Sequence, residues 1–181
     1  HMTMGDPAKA LFTAKDIVNG WKEEDIANVI FAYGEDRYAR RIAKAIVAYR
    51  TKKPIETTHE LAEVVKMSVP MKRGFGGRPS KIHPATQTFQ ALRIAVNDEL
   101  AALKEGLKAG FAKLNPGGRM AVISFHSLED RIVKVLFKEM GEQGGLIMTK
   151  RPLTATAQEI AENPRSRSAK LRILQKERTI L

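Results

Sequence analysis

Four consecutive residues, Ser124, Phe125, His126 and Ser127, are the best placed in this sequence to do chemistry. They lie between two segments of different periodicity. Met120-Ala-Val-Ile123 is a short apolar run behind the turn signal Asn115-Pro116-Gly117-Gly118, and it predicts a strand buried on both faces. Ser127-x-x-Asp130 is a helix-start signature, and Leu128, Ile132, Val135 and Leu136 follow at helical spacing. Turn, strand, polar loop and helix therefore follow in order. That order puts the four polar-corner residues at the C-terminal end of a strand, where open α/β sheets bind ligands.

Charge says what kind of ligand. The chain has 181 residues, with 31 Lys and Arg against 20 Asp and Glu, a formal net charge of +11. A balance this basic favours a polyanionic partner, most often nucleic acid. The excess is uneven. No acid occurs from Val64 to Asn97, while Lys66, Lys72, Arg73, Arg78, Lys81 and Arg93 fall there. Arg165, Arg167, Lys170 and Arg172 form a second cluster. The glycine-rich stretch 68–82 contains Gly74-Phe75-Gly76-Gly77, which is no dinucleotide fingerprint because no strand precedes it and no helix follows at once. It reads either as a basic loop that orders on RNA, with Phe75 stacking on a base, or as a plain surface loop.

Composition excludes several classes. There is no cysteine, so disulfides and thiolate metal sites are out and a reducing, cytoplasmic setting is expected. His59 has no second histidine at metal-ligand spacing, so no metal site is expected. No apolar run approaches the roughly 18 residues of a membrane span, and no signal-peptide pattern opens the chain.

The elements that must position the corner are mostly helical. Thr13-x-x-Asp16 caps a short helix through Trp21. Glu23 to Tyr33 places Ile26, Val29, Ile30 and Tyr33 on one face, with Gly34 as its end. Glu35 to Lys52 places Tyr38, Ile42, Ile46 and Tyr49 on one side. Arg37, Arg40, Arg41 and Lys44 lie largely away from that stripe; this second basic face reads either as a phosphate contact or, the preferred reading, as only solvated. Thr57-x-x-Glu60 is a capping box, and Leu61, Val64 and Val65 follow. His83-Pro84 opens the longest predicted helix, reaching Leu114, with Phe89, Leu92, Val96, Leu100, Leu103, Leu107, Phe111 and Leu114 as its apolar stripe. After the corner and its helix come a strand at 146–149, a helix capped by Thr156-x-x-Glu159 and stopped by Asn163-Pro164, and a final strand at 168–174. The expected fold is mainly α with a small β part of two or three short strands.

Four blocks together carry a family resemblance. They are Phe31-Ala-Tyr-Gly-Glu-Asp-Arg-Tyr-Ala-Arg-Arg-Ile-Ala-Lys-Ala-Ile46, the run from Ile82-His-Pro-Ala-Thr-Gln to Val96-Asn-Asp-Glu-Leu100, Pro116-Gly-Gly-Arg-Met to Ile132-Val-Lys134, and Asn163-Pro-Arg-Ser-Arg-Ser-Ala-Lys-Leu-Arg172. The chain resembles the family of ribosomal small-subunit RNA methyltransferase H, MraW, over nearly its whole length. That resemblance implies methyl transfer from S-adenosylmethionine to the N4 amine of a cytosine in 16S rRNA. It also implies a class I, Rossmann-like methyltransferase sheet, of which this chain carries the C-terminal strands.

The family's cofactor half, with its glycine-rich loop, precedes the region seen here. On that reading, residues 1–12 are the remnant after a fourth strand, 13–92 a helical substrate-recognition domain, and 93–181 the C-terminal part of the methyltransferase domain, entered by the long shared helix. The family's Met-Arg-Met-Asp corresponds to Met2 to Asp6, with Thr3 in place of arginine and an extra Gly5. By position, Asp6, His126 and Ser127 are the candidate catalytic residues. Lys72, Arg73, Arg78, Lys81, Arg93, Asn163, Arg165 and Arg167 are the candidate RNA contacts, with Asn97 beside Arg93. The cofactor contacts are expected outside this chain, which alone is expected to be inactive. The expected partner is 16S rRNA or the small subunit, and the incomplete sheet predicts self-association. A non-catalytic RNA-binding or scaffold module is the alternative.

Overall fold

The structure, a computed structural model, describes residues 2–4, 11–70 and 83–177. It is mainly helical with one small sheet, and it divides into two compact units, residues 1–99 and 100–181.

The first unit is built from five helices: α1 (Ala14–Gly20), α2 (Glu23–Gly34), α3 (Ala39–Arg50), α4 (Thr58–Ser68) and α5 (Thr86–Asn97). Capping boxes start α1 and α4. Thr13 accepts from the Asp16 N–H, Thr57 accepts from the Glu60 N–H, and each acid accepts in return from its cap residue. The apolar faces meet in one core that includes Ile17, Ile26, Ile30, Ile42, Ile46, Val65 and Leu92.

The α2 end departs from expectation. Gly34 is still helical, and Glu35 takes the left-handed conformation at φ +50°. Gly34 is required for a different reason: a Cβ there would lie 2.7 Å from the Gln87 carbonyl oxygen of α5. Across this contact Gln87 Nε2 donates to the Gly34 carbonyl and Gln90 Nε2 to the Tyr33 carbonyl. Two glutamines thus satisfy carbonyls that a helix end leaves open.

The expected continuous helix from His83 to Leu114 is two helices. α5 stops at Asn97, Asp98 is left-handed at φ +46°, and α6 (Glu99–Lys113) begins at once. An Asn-Asp pair tolerates this conformation better than most residues. Asn97 is held by the distant N-terminal segment: its Nδ2 donates to the Met2 carbonyl and its Oδ1 accepts from the Met4 N–H. The apolar repeat runs through the break because both helices bury residues, so periodicity alone could not reveal it.

The second unit contains most of α6, then β1 (Arg119–Ser124), α7 (Ser127–Gly141), β2 (Gly145–Ile147), β3 (Leu153–Thr154), α8 (Ala157–Glu162), a 3-10 turn (Pro164–Ser168) and β4 (Lys170–Lys176). The sheet has four strands, and β4 pairs antiparallel with each of the other three. Leu107, Phe111, Val133, Leu136, Phe137, Met140 and Leu174 form its core, with Met120 and Val122 packed against it.

β1 is not buried on both faces. Met120, Val122 and Ser124 are at least partly covered, while Arg119, Ala121 and Ile123 are exposed, Ile123 by 58%. Its apolar composition suits a strand covered twice. In this unit α7 and the α6 residues cover one side only. Lys176 Nζ closes α6 by donating to the carbonyls of Phe111, Ala112 and Leu114, a cation at the negative end of a helix.

Candidate functional site

The polar corner is a helix cap one residue earlier than the S-x-x-D signature indicates. His126, not Ser127, is the N-cap of α7, and Glu129, not Asp130, is the third helical residue that bonds back. His126 Nδ1 accepts from the Glu129 N–H at 3.3 Å. The Glu129 carboxylate accepts from the Phe125 N–H at 2.7 Å and the His126 N–H at 3.3 Å. These bonds hold the chain in a sharp exit from β1. The His126 side chain is only 10% exposed, and its Nε2 lies 3.4 Å from Glu129 Oε1 without forming a hydrogen bond. Phe125, by contrast, is 54% exposed, and Ser127 is exposed.

The one-residue shift places Asp130 against the sheet. Arg172 Nε donates to its carboxylate at 2.7 Å and Nη2 at 3.2 Å, and Lys170 Nζ donates at 3.2 Å. The Arg172 guanidinium bonded to it holds the Asp130 carboxyl below the ordinary aspartate range, with Lys170 adding to the effect and partial burial opposing it. Asp130 thereby ties the first turn of α7 to β4. Two of the four cations in the C-terminal cluster are therefore committed inside the unit.

The other two are not. Asn163, Arg165 and Arg167 are exposed on the 3-10 turn that leads into β4. Ser166 is buried and its hydroxyl donates to the Asn163 carbonyl, fixing the turn. β4 starts at Lys170, opposite Ser124 in the ladder. The corner that leaves β1 and the turn that enters β4 thus share one end of the sheet. Ser124 Oγ and the Lys170 carbonyl are 3.5 Å apart across it. Phe125 and Ser127 lie at the same sheet end as Arg165 and Arg167, an arrangement that can receive a phosphate chain and one base.

The remaining candidates are placed differently. Arg93, in the first unit, is bidentate with Glu99 at 2.9 and 3.0 Å, so its charge is answered within the protein. Asn97 anchors Met2 and Met4, as described above. Asp6, Lys72, Arg73, Phe75, Arg78 and Lys81 lie outside the described residues. Sequence reasoning missed that Arg172 is buried. A signal was available: alternation in Lys170-Leu-Arg-Ile-Leu174 puts Lys170 and Arg172 on the face of Leu174, so either the strand faces water there or an acid awaits them.

The second unit also holds a cavity of about 520 Å³ between α7 and the β2 edge, lined by Phe137, Leu146 and Ile147 and by Lys134, Lys138 and Lys150. No helix among the described residues is long and apolar enough to cross a membrane.

Comparison with known proteins gives the frame for this arrangement. The MraW methylase family matches residues 1–177. Ribosomal RNA small subunit methyltransferase H of Deinococcus deserti is 58% identical over 160 residues, 88% of this chain and 51% of that protein. Its namesake from a Sulfurihydrogenibium species is 54% identical, over 89% of this chain and 54% of its own length. The Geobacter sulfurreducens protein of the same name is 49% identical, over 91% and 57%. The chain spans about half the length of the curated relatives it matches.

Proposed function

Since the chain belongs to the MraW methylase family, we propose that it is the RNA-holding part of a small-subunit rRNA methyltransferase, and that it presents one cytosine for methylation at its N4 amine. The observation that carries this reading is the shared sheet end. An exposed aromatic ring and a helix start lie on one connection there, and two exposed arginines on the next.

The chemistry sets what such a part must do. A cytosine amine is a poor nucleophile because its lone pair is delocalised into the ring, so most of the acceleration comes from holding it in line with the methyl donor. The base must also leave its stack. Arg165 and Arg167 hold flanking phosphates, and guanidinium groups do this bidentately. Phe125 offers a face to the unstacked ring. Ser127 Oγ provides a polar atom at the base edge. His126 acts as a positioning residue, because its Nδ1 is committed to the cap that aims Phe125 and Ser127.

S-adenosylmethionine is the family's expected donor, and the described residues do not fit it. The loop leaving β1 has no glycine, and the carboxylate beside it, Glu129, is already bonded by two backbone N–H groups. The 520 Å³ cavity has lysines as its charged lining, which repel a sulfonium. On this reading the donor site needs residues other than these, and the chain alone is expected to transfer no methyl group.

The test is complementation. The chain should bind a decoding-region stem-loop of small-subunit rRNA and transfer no methyl group to it. Adding the N-terminal segment of a full-length relative should restore transfer to a cytosine. RNA binding with no methyl transfer under any complementation would instead favour a scaffold.

A further inference from the structure

One surface of the first unit is built against its own helix. α3 carries no acid along its twelve residues, and Ala39, Ile42, Ala43 and Ile46 turn into the core. Arg37 in the preceding turn, then Arg40, Arg41 and Lys44, are all exposed. Spacing of three, four and seven puts them in one stripe. Three other lysines of this unit have acids: Lys15 lies 2.6 Å from Glu56, Lys53 2.6 Å from Glu60, and Lys66 3.1 Å from Glu63. Arg40, Arg41 and Lys44 enter no ion pair or hydrogen bond of their side chains among the described residues. Arg37 is steadied from beside the stripe: its guanidinium lies 4.8 Å from the Tyr38 ring centroid and donates to the Tyr38 hydroxyl at 2.8 Å.

This placement opposes local stability twice over. Arg40 and Arg41 stand in the first turn, at the positive end of the helix, where acids are favoured. The N-cap, Tyr38, supplies no side-chain bond, and the acid at this helix end, Asp36, is buried with its carboxylate accepting from the Tyr38 N–H. Like charges at i and i+4, Arg37 with Arg41 and Arg40 with Lys44, also repel. A local rule broken without a packing gain is the mark of a working surface. From Arg37 to Lys44 the stripe is about 10 Å long at 1.5 Å per residue.

We infer that the Arg37–Lys44 stripe of α3 is a second RNA contact, which grips consecutive phosphates of one strand independently of the Arg165–Arg167 turn. The inference rests on the RNA-methyltransferase reading and adds to it a surface for which sequence alone favours the solvated reading over phosphate contact. Arginine suits the task, because its planar fork fits phosphate oxygens.

The test uses the full 181-residue chain and a decoding-region stem-loop of small-subunit rRNA, with affinity measured across a salt series. Each phosphate contact contributes about 0.7 to 0.9 to the slope of log affinity against log salt. The triple variant R40Q/R41Q/K44Q should lower that slope by about two to three and should not lower the thermal midpoint. The pair R165Q/R167Q should lower the slope on its own, and the two effects should add. If the parent chain binds RNA and the triple variant leaves the slope unchanged, the stripe is not a contact and the wider reading stands. If the parent chain binds no RNA, both fall. If the triple variant unfolds, the stripe is structural and the inference is overturned.

Discussion

Asp130 and Arg172 form a bidentate pair across the second unit, one on the first turn of α7 and the other on β4, with Nε 2.7 Å from Oδ1. Their side chains are 13% and 8% exposed. Removing one partner of such a pair leaves a covered charge with nothing to answer it. We expect Asp130→Asn to destabilise this unit by about 3 kcal/mol in urea unfolding. The double variant D130N/R172M should cost less than the single, since the one cation left without its acid, Lys170, is 38% exposed and reaches water. Equal losses in the two variants would count against the pairing.

The same pair fixes an acid dependence. The folded carboxyl of Asp130 is lowered, chiefly by its hydrogen bonds from Arg172. Its contribution is therefore complete above the unfolded aspartate value of about 3.9 and is lost as pH falls through the lower folded value. The stability difference between parent and Asp130→Asn should stay level from neutral pH to about pH 5 and shrink below about pH 4. A difference that grows on acidification would contradict the assignment.

Glu60 gives an independent check by carbon-detected titration. Hydrogen bonds from Lys53 and from the Glu56 and Thr57 N–H groups bring its carboxyl down to about 2. Its chemical shift should hold steady through the ordinary glutamate range and move only near that value. Lys53→Met should raise the midpoint, because the largest cause is removed.

His126 separates positioning from chemistry. Asparagine is a good N-cap and alanine is a poor one. His126→Asn should keep α7 intact, while His126→Ala should cost about 1 kcal/mol. In the complemented enzyme, activity retained by the asparagine variant supports a role through the corner. Activity lost in both, with the fold of the asparagine variant intact, would assign the imidazole to substrate.

Gly34→Ala tests the helix pair. The added Cβ meets backbone, the Gln87 carbonyl oxygen at 2.7 Å, so no side-chain rotation relieves it. Overpacking of this kind costs about 1–3 kcal/mol, read as a lowered urea midpoint. An unchanged midpoint would show that α2 and α5 separate freely.

The uncovered sheet side should promote association. Ala121 and Ile123 on β1 stand opposite Ile173 and Leu171 on β4, and Leu153 on β3 is exposed beside them. Sedimentation at rising concentration should show self-association, and Ile123→Lys should reduce it. A monomer at every concentration would remove this expectation.

Much of the fold was legible in the residues because its signals are local. Thr13 with Asp16, Thr57 with Glu60 and Thr156 with Glu159 each mark a helix start that the structure contains. Three of the misses share one cause, the decision of a distant neighbour. Gly34 is set by Gln87, the break at Asp98 coincides with bonds from Asn97 to Met2 and Met4, and Asp130 is claimed by Arg172. The cap at His126 was read one residue late because histidine is not among the common N-caps. Arg165 and Arg167 were legible as exposed cations. That Arg172, five residues on, is buried required knowing which side of β4 meets a helix.

β4 follows the other three strands in the chain and is the partner of each. Until a ribosome has delivered Lys170–Lys176, the segments 119–124, 145–147 and 153–154 lack the strand they pair with among the described residues. During synthesis, at about 5–20 residues per second, they stay without a ladder for seconds. Chaperone dependence of this protein should therefore concentrate in that interval, and a stop codon ahead of Lys170 should yield an intact first unit joined to a second unit that never closes.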